Sequence, residues 1–197
     1  MENRIVVAGL VVAIIASLAG FPFEPLGAHA WAGTFFLVWA LGIFVSAALL
    51  AVAAVRAGDD LAAVGFGAVA LYGVGTTLNG SLLARGLPEV SVGLQPGIWA
   101  MLALGLIVLG VGGRFAGWVR VAGFAAALGH GVAAVAVLFG AEMPHTGAAP
   151  AGWPPLVVAL SKVALWVTLI GWIVAVRREA RKTGRPQVEV EGEAVLG

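Results

Sequence analysis

The chain contains no cysteine, and only 11% of its 197 residues are Asp, Glu, Lys or Arg. Without thiols it can form no disulfide, iron–sulfur cluster or cysteine-type zinc site, and thiol catalysis is excluded. So little charge also excludes an ordinary soluble domain, in which about 25% of residues are charged. A net charge of +1 gives no case for a nucleic-acid partner, because phosphate backbones are bound by clustered basic surfaces. The 29 glycines show no three-residue period, which removes a collagen-like chain. What is abundant is apolar: 61% of residues are hydrophobic and the mean hydropathy is +1.03. The composition is that of an integral membrane protein.

A bilayer core roughly 30 Å thick requires about 20 mostly apolar residues in a crossing helix. Six stretches qualify: Ile5–Phe21, Trp31–Val55, Leu61–Leu83, Gly97–Val111, Trp118–Gly140 and Pro154–Val176. The fourth is the shortest and has to borrow from its flanks, starting nearer Val92. No span alternates with the period of a barrel strand, so helices must satisfy the backbone in lipid. Breaks fall at Phe21-Pro22-Phe23-Glu24-Pro25, at Arg56-Ala57-Gly58-Asp59-Asp60, and from Pro144 through Pro155. The expected fold is an all-α, polytopic six-transmembrane-helix bundle over residues 1–178, followed by a mobile tail over 179–197.

Charge sets the expected orientation. With six crossings both termini share a side, and that side collects Arg4, Arg56, Arg114, Arg120, Arg177, Arg178, Arg181, Lys182 and Arg185. The other side receives only Arg85, and Lys162 lies inside a span. The positive-inside rule then predicts a multi-pass protein of the cell membrane with both termini and the tail cytoplasmic. A rival concerns residues 1–30: Met1–Arg4, an apolar run and Ala28-His29-Ala30 share the plan of a cleavable secretory signal. The run is at the upper limit for a signal core and Phe21–Ala30 is long for a cleavage region, so an uncleaved first span is expected.

Close packing of helices in lipid depends on small residues that let backbones approach. Gly123, Ala127 and Gly131 form such a stripe on the fifth span. Ala63, Gly67 and Gly75 lie on the third, and Gly42 and Ser46 on the second. These predict a tight bundle with helices three and five near its centre, rather than a glycine face used for dimerisation.

No Asp or Glu falls within a span, which argues against a proton pump, an ion-coupled transporter or a retinal protein with a carboxylate counter-ion. Two ionisable side chains do lie inside: His130 near the middle of the fifth span and Lys162 about two turns into the sixth. On the third span Tyr72, Thr76 and Asn79 share one helical face. With Thr77, Ser81 and Ser161 beside them, the polar groups gather in the half of the membrane away from the termini. One expectation is a ligand pocket there, lined by helices three, five and six, with Tyr72, Thr76, Asn79, His130 and Lys162 as contacts. The plainer expectation is that Thr and Ser bond their own backbone and His130 donates to a carbonyl, while Asn79 holds a neighbouring helix and Lys162 reaches to water or to Glu142.

Catalytic chemistry is poorly supported. The Gly-x-Ser-Gly motif of six-helix intramembrane serine proteases is absent, since Ser81 is followed by Leu82. No His-Glu motif appears in a span. Glu24, His29, Glu142, Met143 and His145 include ligand types that copper accepts, but without a rigid spacing. No motif implies a cofactor. The expected partner is the lipid bilayer, with a larger membrane complex or a second copy of the chain as further partners. The expected function is binding or passage of a small or lipid-like ligand. An accessory subunit and an intramembrane enzyme using His130 or Lys162 are the alternatives.

Overall fold

The computed structural model describes residues 2–20, 29–85, 94–139 and 153–183. These form six helices and, among the described residues, no strand: α1 (Glu2–Gly20), α2 (His29–Arg56), α3 (Asp60–Ala84), α4 (Gln95–Gly112), α5 (Gly117–Leu138) and α6 (Trp153–Thr183). All six are long and apolar enough to cross a membrane. Their large apolar side chains are exposed around the outside, among them Leu71, Val121 and Leu128. In water this would be an aggregation surface; in a bilayer it is the lipid contact.

The elements begin and end for local reasons. Gly58, with φ 69°, takes the left-handed conformation that closes α2, and Asp59 N–H reaches back to Ala54 O at 3.0 Å. Asp59 then caps α3, its Oδ1 accepting from Ala62 N–H at 3.0 Å. α4 is the shortest helix, with 18 residues spanning about 27 Å at about 1.5 Å per residue. It opens at Gln95 with Pro96 in its first turn, where a missing N–H costs nothing. At its other end Arg120 Nε donates to Gly110 O at 2.6 Å, satisfying a carbonyl of the last turn from the next helix. α6 continues to Thr183, so residues 179–183 extend the last helix, and 184–197 lie outside the described residues.

Each helix packs on its neighbours in the chain, and α6 returns to α1, closing a ring; among the described residues the backbones of no other pair of helices come close. α3 and α5 bury the largest share of their residues, but neither sits at a centre and their backbones do not meet. The middle of the ring is filled by side chains instead. Its seam is α1–α6, the least extensive contact, where Trp166 Nε1 donates to Ser17 Oγ at 3.0 Å.

Glycine does bring the backbones together, but not at the stripe expected on α5. A Cβ added to Gly42 would sit 2.6 Å from Gly9 O, so α1 and α2 cross backbone to backbone there, beside a Ser46 Oγ–H bond to Val6 O at 3.2 Å. Likewise a Cβ on Gly105 of α4 would sit 2.7 Å from Gly65 O of α3. By contrast, one on Gly123 or Gly131 would meet nothing closer than 3.9 or 3.8 Å, and one on Gly67 nothing within 4 Å. On α5 the tight position is Gly129, which lies against Ser161 of α6. Gly75 on α3 is tight as well, with Ile98 Cγ1 2.6 Å from the added Cβ.

Candidate functional site

The interior of the ring has two layers. In the half nearer the termini, Phe66 of α3, Phe115 of the α4–α5 turn and Trp172 of α6 form an aromatic plug. Its ring centroids are 5.1 Å apart for Phe66–Trp172, 6.1 Å for Phe66–Phe115 and 6.3 Å for Phe115–Trp172. Beside it lies a void of about 10 Å³ lined by Phe115, Arg120, Thr168 and Trp172, about the space one water needs. The Phe66–Trp172 contact joins two helices whose backbones do not touch, so it bridges the middle of the ring.

The second layer lies further from the termini. Trp39, Tyr72, His130 and Lys162 stand eight to twelve residues in from the far ends of α2, α3, α5 and α6 respectively, which brings them to a similar depth. Trp39 packs on Phe36 with centroids 5.1 Å apart and meets Tyr72 edge-on at 5.9 Å. Tyr72 in turn meets the His130 ring edge-on at 6.5 Å, again across the middle of the ring. Lys162 is half-buried at a similar depth on α6. A row of rings therefore runs across the interior from Trp39 of α2 through Tyr72 of α3 to His130 of α5.

Hydrogen bonding within the layer is uneven. His130 Nδ1 is 2.8 Å from Ala126 O; a carbonyl only accepts, so Nδ1 carries the proton and a neutral ring presents Nε2 as an acceptor. Thr76 Oγ1 donates to Tyr72 O at 2.6 Å, Thr77 Oγ1 to Gly73 O at 2.7 Å and Ser81 Oγ to Leu78 O at 2.7 Å. These hydroxyls spend their protons on their own helix, as the plainer expectation held. Asn79 is buried and already engaged by a neighbour. Trp39 is different. Its side chain is 3% exposed, and its indole N–H is buried with no hydrogen-bond partner among the described residues. A buried unsatisfied donor costs about 1–3 kcal/mol, so this one is conspicuous.

Of the five expected ligand contacts, Tyr72, Thr76, Asn79 and His130 are all buried, on α3 and α5, and Lys162 is half-buried on α6. Tyr72 and His130 are brought into contact. Trp39, the residue with the open valence, was not expected from the sequence. A Trp inside an apolar run resembles core packing, and the available signal was its depth, since Trp in membrane proteins gathers at the interfaces. Of the metal-ligand candidates, Glu24, Glu142, Met143 and His145 lie outside the described residues, as does the side chain of His29. No group of three or more potential ligands occurs among the described residues.

A third feature lies on the outside. α4 and α5 enclose an open cleft of about 1050 Å³, floored by Ala103, Ala127 and Gly131 and walled by Ile107, Phe124 and Leu128. Its lining residues are all apolar. No family of known proteins, no curated protein and no solved structure matches this chain, so the interior layer is interpreted from its own geometry.

Proposed function

We propose that this chain is a multi-pass membrane protein that binds a small, largely apolar molecule in the interior of its helix ring, in the half away from the termini. Trp39, Tyr72 and His130 form the wall of the site, Thr76 and Asn79 lie above Tyr72 on the same face of α3, and Lys162 lies at a similar depth on α6. The aromatic plug of Phe66, Phe115 and Trp172 closes the floor, which favours binding over free passage. The observation that carries this function is the buried Trp39 N–H, which has no partner among the described residues. A ligand with one acceptor would answer it and recover the desolvation of that donor. By the distribution of Arg and Lys, both termini face the cytoplasm and the site opens toward the outside of the cell.

Native mass spectrometry of the protein extracted from its own membranes tests the binding function. A discrete adduct should be present on the wild type and depleted on Trp39→Phe. A wild type without any adduct, or an adduct retained equally by Trp39→Phe, would contradict it. The absence of cysteine makes single-cysteine labelling clean for the orientation. A membrane-impermeant maleimide applied to intact cells should label Arg85→Cys and spare Arg178→Cys, and the reverse would overturn the assignment.

A further inference from the structure

We infer that the cleft between α4 and α5 holds an anionic phospholipid of the leaflet on the side of the termini, with one acyl chain along the cleft and the phosphate against Arg120. The site is on the outside of the ring and stands apart from the interior layer around Trp39. Its shape and lining point to the acyl chain. The cleft encloses about 1050 Å³ and follows α5 from Phe124 to Phe139. That is about 22 Å at about 1.5 Å per residue, against about 15 Å for one leaflet's share of the hydrocarbon, so a chain fits along it. Small residues cut the floor away: a Cβ added to Gly131 would meet only Ala103 Cβ, at 3.8 Å. On the rim Leu128 is 70% exposed and Val135 52%, so the cleft is open along its side.

Charge at one end points to the head group. Arg120 precedes Phe124 by one helical turn, so it continues the cleft face of α5 toward the termini. Its guanidinium is anchored there, because Nε donates to Gly110 O at 2.6 Å and Gly110 packs directly on the Phe124 ring. A backbone carbonyl orients the guanidinium without neutralising it, so the cation is in position before a ligand arrives. Arg120 is exposed, as is Arg114 in the turn before α5, and from Gln95 to Phe139 the chain has these two arginines and no acidic residue. Trp118, 49% exposed in the first turn of α5, marks the membrane interface and places Arg120 at head-group level. Basic pockets between membrane helices on one face of the bilayer are suited to anionic head groups. A zwitterionic lipid brings an ammonium that offsets its phosphate. A second copy of this chain, seated there by two-fold symmetry, would bring its own Arg120 to the same level. Asp59 and Asp60 begin α3 beside this end of α4, where Leu61 packs on Gly112, and Asp59 Oδ1 is already the α3 cap. Neutralisation of Arg120 by Asp60, or by Glu189, Glu191 or Glu193 outside the described residues, would leave no preference among head groups, which the experiment reads.

The test places the full-length protein in nanodiscs of equal dioleoyl phosphatidylglycerol and dioleoyl phosphatidylcholine and reads the lipid it retains by native mass spectrometry. The wild type should retain phosphatidylglycerol over phosphatidylcholine at least about fivefold, the scale of one arginine at a membrane surface. Arg120→Gln should bring that ratio close to one, and Arg120→Lys, which keeps the charge, should hold most of it. Arg85→Gln, at the far end of α3, should leave the ratio within about twofold of the wild type. Gly131→Leu fills the floor where there is room for a side chain and should deplete both lipids, with its helix content unchanged by circular dichroism. If that variant misfolds, the Arg120 series still decides. Equal retention of the two lipids by the wild type, a preference that survives Arg120→Gln, or one that falls as far with Arg85→Gln would overturn the proposal. Lipid retention unchanged in a folded Gly131→Leu would overturn the cleft as the seat of the chain. A wild-type dimer without retained lipid, lost in Gly131→Leu, would assign the cleft to a second copy and equally overturn it.

Discussion

Replacing Trp39 by Phe separates an empty interior from an occupied one. In protein stripped of bound molecules by exhaustive detergent exchange, the substitution has two opposing effects. Losing the fused pyrrole ring leaves a residual void of about 40 Å³, which at about 24 cal/mol per Å³ costs about 1 kcal/mol. Removing the buried N–H that has no partner among the described residues relieves about 1–3 kcal/mol. The net effect lies between nothing and about 2 kcal/mol of stabilisation, so the thermal midpoint should stay level or rise by a few degrees, at about 2–4 °C per kcal/mol for a chain of this size. In protein that keeps its natural ligand the sign reverses. The wild type then has the hydrogen bond and part of the binding energy, and Trp39→Phe should melt lower. Circular dichroism at 222 nm, with both proteins heated at one scan rate, reads the difference directly. A fall of more than about 2 kcal/mol in the stripped protein would refute the reasoning, because it would mean that the indole N–H is satisfied within the native fold.

Three further outcomes follow from the packing. Gly42→Val should destabilise the protein by at least about 1–3 kcal/mol, because the α1–α2 backbones leave no room for a side chain; Gly67→Ala, with open space around it, should be neutral or slightly stabilising in the same melting assay. Asp59→Ala removes the cap of α3 and should cost about 1 kcal/mol, with faster amide exchange confined to the first turn of that helix. Ser17→Ala removes the Trp166–Ser17 hydrogen bond across the α1–α6 seam and should cost only about 0.6 kcal/mol, yet raise the rate of disulfide trapping between cysteines placed on those two helices.

The six crossings, the turn at Arg56–Asp60 and the short fourth helix are all legible in the sequence, because hydropathy, glycine and proline report directly on length and termination. The common face of Tyr72, Thr76 and Asn79 is legible too, since helical spacing alone fixes it, and all three are buried. Which way each helix turns its faces is not. In water the buried face of a helix is marked by an apolar stripe, but here the outside is as apolar as the inside, and α1 and α3 carry almost no amphipathic asymmetry. That is why Gly123 and Gly131 could pass for packing glycines when Gly129 is the one in tight contact. It is also why Trp39 could not be told from the less buried aromatics near it in α2, such as the exposed Trp31. The ring topology is equally hidden, because it depends on α6 meeting α1 through Trp166 and Ser17, residues with no local signal.

The most direct test is the state of the Trp39 indole proton itself. In protein labelled with ¹⁵N-tryptophan, the resonance missing from Trp39→Phe identifies it among the seven Trp side chains. In stripped protein that proton should resonate upfield, as a donor without an acceptor, and it should move downfield when a lipid extract of the native membrane is restored. A resonance already at the hydrogen-bonded position in stripped protein, and unmoved by the extract, would contradict a ligand site at the centre of the ring.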